Sequence, residues 1–269
     1  MTPHNPAGSF IWYELMTTDA AVAAAFYNAV LGWKVMDPVG REASGGVEYR
    51  MIGRSDGGNA GGMLQLSEEM VAQGARSTWL GYLHVADVDA TLQAIEADGG
   101  KVWMPKQRLP VGEIAMVADP MGTPFYLMTP VPPPGKADAG SDVFDPKATQ
   151  RVRWNELTSP DLERAKVFYA KHFGFEFNEV MPMGAMGDYC FIDHAGVRIG
   201  AMMQQPAESP FSGWLFYFGV PSVLEAQRAV EAKGGKILNG PHQVPGGEWI
   251  LFVVDPQGAS FGIVGPLEK

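Results

Sequence analysis

Cysteine is nearly missing from this chain: among 269 residues there is one, Cys190. A single thiol excludes an internal disulfide and any multi-cysteine zinc site, and its expected place is a buried, inert one. Clusters of basic residues are missing too. Lys and Arg total 20 against 30 Asp and Glu, a net charge of -10. Nucleic acid and anionic membrane surfaces both need Lys/Arg contacts to phosphate, so neither is an expected partner. The apolar runs, such as Trp249 to Val254, fall far short of the about 20 residues that span a bilayer. Met1 to Gly8 has no basic start and no apolar stretch, so no signal peptide is expected and the cytoplasm is the expected compartment. Histidine is scarce, with five residues, and no two have the spacing of a metal pair on one helix or strand. Phosphate loop, nucleophile elbow and dinucleotide fingerprint are all absent.

What the chain does have is a repeat. Trp12-Tyr13-Glu14-Leu15, Asp19, Phe26-Tyr27 and Gly32 return 142 residues on as Trp154-Asn155-Glu156-Leu157, Asp161, Phe168-Tyr169 and Gly174. Trp79-Leu80 and Gly99-Gly100-Lys101 return 135 residues on as Trp214-Leu215 and Gly234-Gly235-Lys236. Gly112-Glu113 and Asp119-Pro120-Met121-Gly122 return as Gly247-Glu248 and Asp255-Pro256-Gln257-Gly258. Two domains follow, 9–130 and 151–266, joined by a Pro-rich, semi-rigid linker over 131–150.

Within each copy the punctuation is regular. Ser9–Met16 reads as a strand, and Asp19 caps an Ala-rich helix that stops at Gly32. Three short strands follow, over 33–39, 47–53 and 61–66, with Gly57 to Gly62 as a hairpin turn. The order then restarts: strand 78–85, Asp87 as a cap, a helix stopped by Gly99-Gly100, and strands 101–105, 112–118 and 123–128. The unit is βαβββ, four times in the chain, an α+β fold. A ferredoxin-like sheet uses the same ingredients and is the alternative architecture.

Asp19…Phe26-Tyr27…Leu31-Gly32-Trp33, its second copy, and the two Asp-Pro-x-Gly turns together resemble the glyoxalase, bleomycin-resistance and extradiol-dioxygenase (vicinal oxygen chelate) superfamily. The resemblance covers everything but the tail and the linker. It implies two tandem domains, each a pair of βαβββ modules whose eight strands form a cup with helices outside. It also implies metal ligands seven residues before each Asp cap and seven after the Asp of Asp-Pro-x-Gly. Those positions hold Trp12, Leu80 and Tyr126 in the first domain, and Trp154, Leu215 and Gly262 in the second. Zinc wants His, Cys or carboxylate, and non-heme iron two His and a carboxylate, so no bound metal and no other cofactor is expected.

Alternation along a strand fills the rest of the cup. If Trp12 faces in, so does Glu14, while Leu15 faces the helix; Trp154, Glu156 and Leu157 repeat this. Beside Leu80 come Tyr82 and His84, and beside Leu215 come Tyr217 and Gly219. Each Trp reads equally as a large core side chain, and each Glu as a solvated residue or one satisfied by a backbone amide. His84 reads also as a hydrogen-bonded strand-end residue; His172, His194 and His242 read as solvated. Glu113 and Glu248 read as edge charges, and the 15 methionines mainly as core filler.

The leading expectation is therefore a small-molecule binder. An aromatic or planar ligand would lie against Trp12 or Trp154, with Tyr82, His84, Tyr126 and Tyr217 as further binding residues. The alternative is a lyase, isomerase or dioxygenase-type enzyme using Glu14 or Glu156 as catalytic groups, with or without a divalent metal recruited through His84. A third is an interaction protein with filled cups. The chain is expected as a monomer whose domains pair with each other, or as a homodimer.

Overall fold

The computed structural model describes residues 5–40, 42, 44–132, 135, 140–209 and 211–268. His4 and most of the linker's proline-rich start lie outside them. The strands of the first half are β1 (Phe10–Thr17), β2 (Lys34–Pro38), β3 (Tyr49–Gly53), β4 (Asn59–Gln65), β5 (Thr78–His84), β6 (Lys101–Leu109), β7 (Gly112–Ala118) and β8 (Pro124–Pro130). Its helices are α1 (Ala20–Leu31), α2 (Glu68–Ala72) and α3 (Val88–Ala97). The second half has β9 (Val152–Ser159), α4 (Leu162–Phe173), β10 (Val180–Pro182), β11 (Asp188–His194), β12 (Val197–Gln204), β13 (Gly213–Gly219), α5 (Val223–Ala232), β14 (Lys236–Gln243), β15 (Trp249–Val254) and β16 (Ser260–Gly265).

Two eight-stranded mixed sheets result, in the orders β2-β3-β4-β1-β5-β8-β7-β6 and β10-β11-β12-β9-β13-β16-β15-β14. Within each βαβββ module the first and last strands pair in parallel, as β1 with β4 and β5 with β8, and the hairpins are antiparallel. A parallel pair needs a crossover, and the helix supplies it. This is the tandem α+β architecture expected, and eight strands per sheet set the ferredoxin-like alternative aside.

The helix caps are where the sequence puts them. The Asp19 carboxylate accepts from Ala21 and Val22 N–H (3.1 and 3.0 Å), Asp161 from Arg164 N–H (3.1 Å), and Asp87 from Ala90 N–H (3.0 Å). Gly32 and Gly174 end their helices in the left-handed region, at φ 68° and 66°. The glycine run 57–62 is only half a turn: β4 begins at Asn59, because Gly61 and Gly62 lie flat in the sheet beside β1. Helix α2 adds an element to the expected set, capped by Ser67 and acidic in its first turn.

Compactness does not follow the halves. One unit gathers the segment through Ile11 with Leu80–Ser141 and Trp154–Trp214; the other gathers Trp12–Trp79, Asp142–Arg153 and the segment from Leu215. The repeated motifs explain the first unit. The Trp214 indole N–H donates to the Tyr169 hydroxyl (3.0 Å), which donates to the Asp119 carboxylate (3.1 Å). In the second unit Trp79 donates to Tyr27 (2.9 Å) and Tyr27 to Asp255 (3.1 Å). The other oxygen of each carboxylate folds its own Asp-Pro-x-Gly turn: Asp119 accepts from Met121 and Thr123 N–H, and Asp255 from Gln257 and Ala259 N–H. Burial pushes both carboxyl pKa values up, against these hydrogen bonds. Burial also raises both tyrosines, with the neighbouring carboxylate second. The recurring Trp, Phe-Tyr and Asp-Pro-x-Gly are thus one device: in each unit a first-half residue is tied to the second half.

The C-terminal part of the linker is held by charge. The Arg54 guanidinium, whose side chain is 2% exposed, pairs with Asp56 (3.1 Å) and with Asp142 (2.6 Å). Arg151 joins both carboxylates at 2.9 Å. The Gly58 amide and Arg54 hold the Asp56 carboxyl down at about 2, from 3.8. A depressed carboxyl stabilises the fold above pH 3.8, and that share is lost as the pH falls through about 2. Asp56 is half exposed, so we expect Asp56→Asn to cost about 1 kcal/mol near neutrality. Urea titrations of both proteins should show the difference shrinking between pH 3.8 and 2.

Two histidines depart from expectation. His194 is buried, its Nε2 3.0 Å from the Ala7 carbonyl, and desolvation lowers its pKa. The His172 side chain is 4% exposed and meets Asp98 at 2.7 Å. Cys190 is a buried free thiol whose pKa burial raises.

Candidate functional site

In the second half, alternation splits β9, β11 and β12 into two faces. Leu157, Cys190, Ile192 and Met202 form the buried one. The other carries Trp154 and Glu156 on β9 and Tyr189 and Phe191 on β11, all half-buried. Register fixes their neighbourhood: Glu156 lies opposite Ala201 on β12, and Ala201 opposite Phe191. The Trp154 indole N–H donates to the Tyr189 hydroxyl (2.8 Å), and that hydroxyl donates to the Glu156 carboxylate (2.5 Å). A short O–H···O⁻ bond of this kind is the stronger, charge-assisted sort and fixes the carboxylate's direction.

The first half carries the same Trp–Tyr pairing. Trp12 is half-buried and donates to the Tyr49 hydroxyl on β3 (2.8 Å). Glu14 is 1% exposed and lies opposite Gly62 on β4. A Cβ on Gly62 would stand 1.8 Å from the Tyr49 hydroxyl oxygen, so the tyrosine lies in a notch that only glycine leaves. Ala201 fills the same notch in the second half. Gly62→Ala should therefore eject Tyr49 and break its bond to Trp12. We expect a loss of about 1–3 kcal/mol, the usual range for an overpacked site, read as a lower melting temperature with a shifted tryptophan emission.

The remaining candidates fall into separate places. Tyr82 and Tyr126, opposite each other on β5 and β8, are buried and stacked at 4.2 Å and 13°. Tyr217 is buried on β13, its ring carbons 2.1–2.5 Å from where a Gly262 Cβ would be. The tyrosine on β13 thus lies flat where its counterpart on β5 stacks. His84 is 8% exposed and its Nδ1 lies 2.8 Å from the Asn5 carbonyl, which requires the proton on Nδ1. Glu113 meets Lys106 and Arg108, and Glu248 receives both terminal nitrogens of Arg153 at 2.7 Å.

Tyr49, Tyr189 and Phe191 were not among the residues expected in the site. Their signal was present as Glu48-Tyr49-Arg50-Met51-Ile52 against Asp188-Tyr189-Cys190-Phe191-Ile192, a repeated acidic-Tyr-x-x-Ile.

At the positions where the resemblance places metal ligands the donor set does not fit a divalent ion. Trp12 and Trp154 carry N–H donors with no lone pair to give, and both are engaged with tyrosines. Leu80 and Leu215 are apolar and buried, Tyr126 is stacked, and Gly262 has no side chain. Among the described residues no group of three or more His, Cys, Asp or Glu is placed to hold a metal. Nor is any helix among them long and apolar enough to cross a membrane.

The family model of the Glyoxalase/Bleomycin resistance protein/Dioxygenase superfamily matches residues 9–127 and 151–263. The chain belongs to that superfamily. It is 27% identical over 257 residues to "Putative glyoxylase CFP32" of Mycobacterium tuberculosis (strain CDC 1551 / Oshkosh), covering 95% of this chain and 94% of that protein. It is 27% identical over 275 residues to the anthracycline biosynthesis protein DauV of Streptomyces sp. (strain C5), covering 98% and 95%. Among solved structures, the Mn(II)-bound glyoxalase from Novosphingobium aromaticivorans aligns with a TM-score of 0.62 at 20% identity, over 97% of this chain and 83% of that one. An extradiol ring-cleaving dioxygenase from B. fuscum aligns with a TM-score of 0.61 at 16% identity, over 98% and 74%. At these identities the structural likeness speaks to the fold.

Proposed function

We propose that this protein binds a small planar organic molecule, without a divalent metal, on the face of β9, β11 and β12 that carries Trp154. The observation that carries the reading is the chain of hydrogen bonds from Trp154 through Tyr189 to Glu156, half-buried and so open to solvent. It offers a large ring face for stacking and a carboxylate aimed by its neighbour, the pairing a site needs to fix both plane and orientation. The donor chemistry at the metal-ligand positions supports the metal-free part, and the likeness to DauV, an anthracycline biosynthesis protein by its name, supports a small organic ligand.

Glu156 also supports a second reading, a lyase or isomerase in which it acts as general base, since its carboxylate is oriented and part-exposed. A thermal-shift screen of planar phenols and amines separates the two. A ligand at one hundred times its Kd should add about 2.7 kcal/mol of stability. If Glu156→Gln weakens that ligand, Glu156 is a binding group; if the affinity holds and turnover of the same compound disappears, it is a base. No stabilising compound, with the melting temperature alone lowered by Glu156→Gln, would sink both readings.

A further inference from the structure

We propose that Ala201 is a positioning residue of the second-half site: its methyl group keeps the Tyr189 hydroxyl off the sheet and against Glu156, so that the carboxylate stays within reach of a ligand. This rests on the reading above that the Trp154 face binds a small molecule, and adds what holds the polar end of that face open. The two halves differ here by one methyl. Glu14 lies opposite Gly62 as Glu156 lies opposite Ala201. Tyr49 and Tyr189 also stand at corresponding places, since Met51 pairs with Gly62 and Tyr49 with Leu64, as Phe191 pairs with Ala201 and Tyr189 with Met203. Where the methyl is missing, the tyrosine sinks: a Cβ on Gly62 would overlap the Tyr49 hydroxyl and the ring carbon that bears it. Cβ atoms do not pack closer than 3.0 Å to a neighbour, so the Ala201 methyl shuts that place to Tyr189.

The carboxylates differ accordingly. Glu14, opposite the glycine that lets Tyr49 sink, is 1% exposed, whereas Glu156 is half-buried and accepts the Tyr189 O–H at 2.5 Å. The rest of the arrangement does not depend on the methyl. Trp12 donates to Tyr49 at 2.8 Å, the distance at which Trp154 donates to Tyr189, and both indoles are half-buried. The ring platform thus follows its tyrosine in either half. What the methyl sets is the height of the hydroxyl over the sheet, and with it the place of the carboxylate that the hydroxyl binds. A short charge-assisted bond ties the two oxygens together, so moving one moves the other. Ala201 is itself 0% exposed, and it acts through Tyr189 rather than by contact with a ligand.

The test is a fluorescence titration of the full-length wild-type protein, Ala201→Gly and Ala201→Ser with 1-naphthol and with naphthalene, which has the same rings and no hydroxyl. Glycine lets Tyr189 sink and takes the Glu156 carboxylate with it. Ala201→Gly should therefore weaken 1-naphthol about tenfold, the worth of a hydrogen bond to a charged group, and leave naphthalene within about twofold. Ala201→Ser keeps a Cβ in the same place and should restore the wild-type affinity. With Glu156→Gln already present, Ala201→Gly should change nothing further, because its effect runs through that carboxylate. A wild-type affinity for 1-naphthol in Ala201→Gly would overturn the inference, as would an equal loss of both compounds, the mark of a residue that merely supports the fold. Either result leaves the planar-ligand reading standing if the wild-type protein binds 1-naphthol; should the wild-type protein bind neither compound, both fail.

Discussion

Asp119→Ala is expected to be the most damaging single change, costing about 3–5 kcal/mol. The Asp119 carboxylate accepts from the Met121 and Thr123 amides and from the Tyr169 hydroxyl, and it is 2% exposed. Its removal strands three donors in the core, each worth about 1–3 kcal/mol when left unmade, less some overlap. At about 2–4 °C per kcal/mol for chains of this size, the melting temperature should fall by about 10 °C. Tyr169→Phe removes one hydroxyl and should cost about 1–3 kcal/mol. Asp255→Ala and Tyr27→Phe should mirror these values. Differential scanning calorimetry of the four variants decides it, and a fall under about 2 °C for Asp119→Ala would show that the relay is incidental. The pH dependence has a definite sign. Burial raises the folded pKa of Asp119 above its ordinary value of 3.8, so the folded state holds the proton more tightly. Stability from this group is then fully present below 3.8 and declines as the pH rises through the folded value. Asp119→Asn, which cannot ionise, should lack that decline.

Trp154→Ala should lower affinity for the planar ligand about 30-fold or more, the loss usual for a central aromatic anchor. The change removes the ring face and also the donor that orients Tyr189, so Glu156 loses its aim along with the ligand's platform. Trp12→Ala, at the corresponding place in the first half, should leave the affinity within about threefold. Isothermal titration of both variants measures this, and equal losses would mean that both faces bind. A larger loss with Trp12→Ala would move the site to the first half.

The duplicated βαβββ pattern, its caps and its turns were legible because each is written locally: Asp19, Asp87 and Asp161 do their capping within a few residues of themselves. Parity along β9 likewise put Trp154 and Glu156 on one face. What alternation within a strand cannot supply is the register between strands. Tyr189 reaches Glu156 from 33 residues away, and nothing in β9 says which residue of β11 lies opposite. The same limit hid the His194 contact with Ala7, 187 residues apart, so a histidine in an Asp-His-Ala-Gly turn looked solvated. Asp119 and Asp255 were visible as family turns, yet their bonds to Tyr169 and Tyr27 span 50 and 228 residues. Helix α2 was readable from Ser67 followed by Glu68 and Glu69, but five residues are too few for a helical period to show.

The measurement that bears most directly on the central claim is a fluorescence titration of the chelator-treated, full-length protein with a planar phenol, 1-naphthol, repeated with excess Mn²⁺. Saturable quenching with one affinity in both conditions, lost in Trp154→Ala, is the predicted result. Binding that appears only when Mn²⁺ is added, or that survives Trp154→Ala unchanged, would contradict it.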